Sequence, residues 1–295
     1  MTEWTPFSTH RGDRVLKGWV GGADRGAALV FHTGTPFPPV RWGSLDQAAR
    51  DRDLRLITYA RPGYSGSSRH PGRSVADAVT DTVAVLDELG VGPFMVLGHS
   101  GGGPHALACA ALISDRCQAA VSLAGVAPFE AEDLDWMAGM AEENVEEFTT
   151  VLKGEETLRP FLLAYAEHFS QVSSEDVEAS LAGLLSDVDR AALTEELSEM
   201  MARSLRQAAE DGVEGWIEDD LAFAKSWGFD LSSIEVPVGV WQGRQDRMVP
   251  FAHGEWLQSN IKTSRARLLD DEGHISLLTH RFGDIITDLV ELAES

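Results

Sequence analysis

The chain has 295 residues, 43% of them hydrophobic and 24% charged, with a formal net charge of −23, enough for a sizeable core in one large domain or two small ones. That charge disfavours nucleic acid and anionic membrane surfaces as partners, and no run of about 18 apolar residues offers a membrane span. The opening MTEWTPFSTHRGDR has no apolar stretch followed by small residues, so no secretory signal is visible and a cytoplasmic location is the default expectation.

In chain order, residues 15–20 read as a first strand, and 27–31 as a stronger one that is short, apolar and ends at the loop His32-Thr33-Gly34-Thr35-Pro36. A short helix over 45–50 and a strand over 54–59 follow, then turn chemistry from Arg61 to Ser67. Ser74 caps a helix whose Val75, Val79, Val83, Leu86 and Leu89 recur at three- and four-residue steps until Gly90. The apolar run 94–97 leads into Gly98-His99-Ser100-Gly101-Gly102, the helix-favouring run 105–113 comes next, and 119–124 reads as a strand. Cys109 and Cys117, the only cysteines, lack metal-ligand or redox spacing and read as small apolar fillers.

Beyond Pro128 the character changes. Helical patterns over 133–152, 158–169 and 193–209 follow one another with no clear strand, until the strand pattern returns at 236–241. A helix at 251–257, a strand at 266–269 and a final helix bearing Phe282, Ile285, Ile286, Leu289, Val290 and Ala293 on one face complete the chain. Residues 129–235 hold 27 Asp and Glu against 6 Lys and Arg, a net of −21; the remainder has 20 against 18, a net of −2. The apolar strands alternating with helices predict a mostly parallel sheet covered on both faces, split around a helical insertion.

Gly98, Ser100 and Gly102 match Gly-x-Ser-x-Gly between a strand and a helix, a sharp turn that leaves the central side chain at its tip. The Gly101 amide then stands at a helix N-terminus, where it can donate to a developing oxyanion. The competing reading, a structural or phosphate-cradling turn, lacks the Lys-Ser/Thr ending of a P-loop and the spacing of a dinucleotide turn. A serine needs a base, and the usual base is a histidine oriented by a carboxylate. Asp246, in the loop after strand 236–241, and His274, after the next strand, complete the order Ser, Asp, His at carboxyl ends of strands. Asp270 and Asp271 are the alternative orienting carboxylates. His32 and His99 lie beside the site as packing or supporting residues, and His253 and His280 are expected to be solvated. Arg61, Tyr64 and Trp241 face the same side, as packing or as substrate contacts, and one or two of the aromatics Trp136, Phe161, Tyr165, Phe169, Trp216 and Trp227 are expected to line a pocket.

With GHSGG, GRQDRMVP and EGHIS in this order around a split sheet, the chain resembles the α/β-hydrolase superfamily over essentially the whole sheet domain. The resemblance implies an eight-stranded, mostly parallel sheet with a helical cap: a core domain over 1–127 and 233–295 and a cap over 128–232. It also implies an oxyanion hole from the amide of Gly101 and one in the loop after an early strand. Thr35 is the choice there, with Gly34 the alternative because Thr33 is an extra residue relative to the commoner His-Gly-x-Pro. The expected activity is a serine hydrolase that cleaves a small carboxylic ester, thioester or lactone through an acyl-enzyme, with a small-molecule substrate and neither metal nor organic cofactor. The alternatives are a prolyl-aminopeptidase-like amide hydrolase and a non-hydrolytic lyase or small-molecule-binding member of the same fold. Ser100 sets the chain apart from the dehalogenases and epoxide hydrolases of the superfamily, which carry Asp at the elbow.

Overall fold

A computed structural model describes residues 4–210 and 212–295; residues 1–3, at the start of the expected core segment, and Asp211 lie outside the described residues. Eight strands form one sheet: β1 (Thr5–Arg11), β2 (Arg14–Gly22), β3 (Ala27–His32), β4 (Leu54–Tyr59), β5 (Phe94–His99), β6 (Cys117–Leu123), β7 (Val238–Gly243) and β8 (Ser264–Leu269). Their order is β1-β2-β4-β3-β5-β6-β7-β8. The first two strands run antiparallel to their neighbours, and every pairing from β4 onward is parallel.

The helices of the sheet part are α1 (Gly43–Arg50), α2 (Asp77–Glu88) and α3 (Gly103–Leu112). Between β6 and β7 come α4 (Glu142–Val151), α5 (Glu155–Phe169), α6 (Val177–Ser180), α7 (Asp187–Ala192), α8 (Glu195–Glu210) and α9 (Glu214–Phe223), followed later by α10 (Phe251–Asn260), α11 (His274–His280) and α12 (Phe282–Glu294). Helices α1 and α12 pack together against one face of the sheet and α2 and α3 against the other. The central strands are therefore buried on both sides, which is why β5 reads as an unbroken apolar run; all six of its residues are buried. No described helix is long and apolar enough to cross a membrane.

Three local readings need correction. The edge strand β1 is absent from the expected pattern because TPFSTHR is exposed at most positions and carries no apolar alternation. The helix expected over 133–152 begins only at Glu142, since Gly139 sits at φ 92 and interrupts the apolar spacing. His253 is fully buried rather than solvated: the Ala127 amide donates to its Nδ1 at 3.0 Å, and its Nε2 donates to the Trp136 carbonyl at 2.8 Å.

Candidate active site

Strand β5 delivers the chain into a tight turn at Ser100, whose φ of 55° lies in the left-handed region, costly for a residue with a Cβ. The glycines around it are fixed by lack of space. A Cβ on Gly98 would stand 2.1 Å from the Gly102 carbonyl oxygen, and one on Gly102 would stand 2.1 Å from the His32 carbonyl oxygen. Strand β5, the loop after β3 and helix α3 thus approach one another as closely as backbone allows, with Ser100 at the apex.

The loop after β3 lies against this turn. A Cβ on Gly34 would be 3.1 Å from Ser100 Cβ, and one on Gly101 would be 2.5 Å from Thr35 Oγ1. Thr35 and Gly34 are therefore both beside the Ser100–Gly101 backbone, and all four line one cavity of about 180 Å³. His274 opens on the same cavity, as do His99, Phe148, Tyr165, Phe169 and Trp216. Three of the six aromatics singled out in the helical region thus face it.

Asp246 and His274 meet at the carboxyl ends of β7 and β8. His274 Nδ1 is 2.7 Å from Asp246 Oδ2, and because a carboxylate only accepts, Nδ1 carries the hydrogen. Both side chains are at most 3% exposed. Asp246 is fixed in turn by the amides of Met248 and Val249, each 2.8 Å from Oδ1, and by Gln242 Nε2 at 3.0 Å from Oδ2. Burial opposes an imidazolium at His274, but the charge and hydrogen bond of Asp246, with Asp189 adding, outweigh it and raise the pKa above 6.5. Asp270 instead pairs with Arg244, and Asp271 with Arg281, both at the exposed surface.

Other histidines crowd the turn in neutral form. The ring of His99 lies 4.8 Å from that of His274, and burial, with His274 adding, lowers its pKa to about 3. His105, buried on α3, donates from Nδ1 to the Gly101 carbonyl at 2.8 Å and so braces the turn from behind. His32 is buried, its pKa lowered to about 3 chiefly by burial.

Two carboxylates from the segment between β6 and β7 reach down to these loops, and sequence spacing does not announce either role. Asp189 Oδ1 accepts from the amides of Ile275 and Ser276, at 2.8 and 2.9 Å, capping the helix that His274 begins. Ser186-x-x-Asp189 does read as a capping box, but only for its own helix. Asp219 binds Arg61 Nη2 and Arg73 Nη2, both at 2.6 Å, with every side chain at most 3% exposed. Tyr64 and Thr35 also donate to Asp219, at 3.1 and 2.7 Å. Arg61 meanwhile donates to the carbonyls of Thr33 and Gly34, at 2.6 and 3.2 Å. Arg61, read as a packing or substrate contact, thus holds the loop after β3, and Tyr64, read the same way, braces Asp219. Trp241 points elsewhere, to Asp288.

A family model described as alpha/beta hydrolase fold matches residues 27–281. The chain is 25% identical over 276 residues to a non-heme haloperoxidase of Rhodococcus erythropolis, covering 92% of this chain and 93% of that one. It is 27% identical over 260 residues to a pimeloyl-[acyl-carrier protein] methyl ester esterase of Aromatoleum aromaticum, covering 85% and 92%. Among solved structures, an alpha/beta hydrolase fold protein from Nakamurella multipartita superposes with a TM-score of 0.67 at 24% identity, covering 99% of this chain and all of that one. A bromoperoxidase from Bacillus anthracis gives 0.70 at 20% identity, covering 97% and 100%. The eight-stranded sheet, the helices inserted between β6 and β7, and a family match over most of the length agree: this chain belongs to the alpha/beta hydrolase fold family.

Proposed function

We propose that the protein is a serine hydrolase that cleaves a small carboxylic ester, thioester or lactone. The observation that carries the reading is His274, held by the buried Asp246, opening on the same cavity as Ser100, with Gly101 and the loop 33–35 beside it. In this reading Ser100 Oγ attacks the carbonyl carbon while His274 Nε2 takes its proton. Asp246 holds the tautomer and stabilises the imidazolium. The negative charge that develops on the carbonyl oxygen is met by the amide of Gly101 and by that of Thr35, with Gly34 as the alternative. His274 then returns the proton to the leaving alcohol or thiol, and water, deprotonated by the same nitrogen, releases the acid. Every step uses groups of this chain.

Residues 1–127 and 233–295 are assigned to the core domain and 128–232 to a cap that roofs the cavity. The mostly apolar wall, with aromatic side chains from α5 and α9, suits a substrate with a hydrocarbon portion. The methyl ester esterase among the relatives is named for ester chemistry, which agrees with the reading. The test is a serine-reactive phosphonate followed by peptide mapping, run beside a panel of esters, thioesters, lactones and aminoacyl amides. Label on Ser100 with turnover of an ester is expected. Label elsewhere, or turnover that survives full labelling of Ser100, would overturn the assignment.

A further inference from the structure

The peptide groups on either side of the proposed oxyanion hole have their carbonyls tied down. A trans peptide points its N–H and its C=O in opposite directions, so whatever holds the carbonyl aims the amide. The Ser100 carbonyl accepts from the Gly103 amide, which turns the Gly101 N–H away from Gly103. In the loop after β3 the Gly34 carbonyl accepts from Arg61 Nη2 at 3.2 Å and from the Phe37 amide at 3.1 Å, and the Thr33 carbonyl accepts from Arg61 Nη1 at 2.6 Å. The Thr33–Gly34 and Gly34–Thr35 peptides are both trans. The amide of Thr35, and that of its alternative Gly34, are therefore both turned away from Arg61.

The loop needs this restraint because position 34 has none of its own. Ser100 fixes Gly34 as glycine, since a Cβ added there would stand 3.1 Å from Ser100 Cβ. Glycine admits backbone conformations closed to other residues, so the Gly34–Thr35 peptide turns over at little cost. Turned over, it would present a carbonyl oxygen where the oxyanion forms and repel the developing charge. Thr35 is secured at its side chain as well: Oγ1 donates to Asp219 Oδ2 at 2.7 Å and accepts from Arg61 Nη2 at 3.0 Å. Arg61 Nη2 also donates to Asp219 Oδ2, at 2.6 Å, so Arg61, Thr35 and Asp219 close a ring of hydrogen bonds. Helix α9, which carries Asp219, sets Phe223 against the other amide: a Cβ on Gly101 would be 3.1 Å from the Phe223 ring. Thr35 lines the cavity, whereas Arg61 and Asp219 stand behind its wall.

We propose that Asp219 and Arg61 are positioning residues for the oxyanion hole: the ring that they close with Thr35 selects the orientation in which the Thr35 amide faces the carbonyl oxygen of a bound ester. The hole is then shared between the sheet, which supplies both amides, and the inserted helices, which aim one of them. This role deepens the serine-hydrolase reading and rests on it. Because Arg61 and Asp219 act through Thr35, it predicts a loss in the chemical step and not in substrate binding.

The experiment compares Thr35→Val, which replaces the hydroxyl by a methyl, Thr35→Ser, which keeps the hydroxyl, and Arg61→Lys, which keeps the charge but loses the fork that reaches two carbonyls. For each, kcat and KM are measured with the best substrate of the ester panel, and inhibition constants with a trifluoromethyl ketone and a matched methyl ketone. Ser100 Oγ bonds to the carbonyl carbon of the fluorinated ketone, its proton passes to His274 Nε2 and the carbonyl π pair becomes the oxyanion, so this inhibitor alone reads the hole. In Thr35→Val and Arg61→Lys, kcat should fall by about tenfold or more while KM stays within about twofold. The trifluoromethyl ketone should weaken by the same factor as kcat, the methyl ketone should bind as before, and Thr35→Ser should keep most of kcat. Thr35→Val, which leaves the buried ion pair intact, carries the test if Arg61→Lys does not fold. An unchanged kcat in either folded variant, a change in KM alone, equal weakening of both ketones, or a loss in Thr35→Ser as large as in Thr35→Val each overturn the positioning role. No phosphonate label on Ser100 and no turnover in the unaltered protein would remove the hydrolase reading and the positioning role with it. Labelled Ser100 with an unimpaired Thr35→Val would remove the positioning role alone.

Discussion

Asp219, from the helices inserted after β6, and Arg61, from the loop after β4, form a buried ion pair of 2.6 Å, and Arg61 in turn holds the carbonyls of Thr33 and Gly34. Burial opposes the Asp219 charge, but Arg61 and Arg73 hold its pKa far below 3.8. A carboxylate depressed in this way contributes stability that is fully present above its unfolded pKa, so the contribution is undiminished between pH 5 and pH 8. Asp219→Asn leaves two guanidinium groups buried without their counter-charge and should cost about 3–5 kcal/mol. Urea unfolding at pH 7 and pH 5 checks both size and constancy; a loss under about 1 kcal/mol would mean that the arginines find other partners.

Ser100→Ala removes a partly exposed hydroxyl and no packing, so the fold should persist while turnover falls by roughly a thousandfold or more, as expected when one member of a cooperating set is deleted. Steady-state kinetics on the purified variant, with circular dichroism beside it, decides the point. Near-normal hydrolysis would take Ser100 out of the mechanism.

The pH profile follows from His274. Its pKa lies above 6.5 because Asp246 outweighs burial, and the base must be neutral to accept the serine proton. kcat/KM should therefore fall on the acid side with an apparent pKa above 6.5. Asp246→Asn removes the charge that raises it, so the acid limb should move to lower pH while the plateau drops. An acid limb unmoved by that substitution would uncouple Asp246 from the base.

Stability should respond to acid in its own way. Burial lowers the pKa of His32 and His99 to about 3 and of His253 to about 4, against about 6.5 in the unfolded chain. As pH falls below 6.5 the unfolded state takes up protons that the folded state refuses, so stability drops by up to about 1.4 kcal/mol per pH unit for each histidine. His274 has the opposite sign: its contribution is fully present below 6.5 and is lost as pH rises through its raised folded value. Burial lowers His105 well below its ordinary value too, so four against one gives a net loss on acidification from pH 6.5 to pH 4.5, measurable by chemical denaturation. Equal stability at the two pH values would mean that these rings are reached by solvent.

Asp189 is a positioning residue for His274, through the amides of Ile275 and Ser276. Asp189→Ala should cost about 1–2 kcal/mol as a lost helix cap. It should also lower kcat more than it changes KM, and Asp189→Asn, which keeps an acceptor oxygen, should restore most of kcat. A rise in KM alone would make Asp189 a part of the substrate wall instead.

The sheet and the chain order of Ser100, Asp246 and His274 were legible because each follows a short strand that ends in a loop, apolar in β5 and β7 and mixed in β8, a pattern written in adjacent residues. Strand β1 was not, since an exposed edge needs no apolar face. Asp189 and Asp219 were not legible either. In a segment with 27 acidic residues, nothing local separates the buried carboxylates from the solvated ones, and their partners stand far off in sequence, Arg61 by 158 positions. The burial of His253 has the same cause: its two partners, the Ala127 amide and the Trp136 carbonyl, are backbone groups more than a hundred residues away.

The two anchors from the inserted helices bear on engineering within this fold. Exchanging residues 128–232 for the corresponding segment of another family member, in the hope of transplanting its substrate range, would strip the Asp189 cap from α11 and the counter-charge from Arg61 and Arg73 in one step. A functional chimera needs an acid retained at each of these two places, or Arg61 and Arg73 replaced together with the graft by uncharged residues of similar volume. The inserted segment is thus separable from the sheet as a stretch of gene but not as a module.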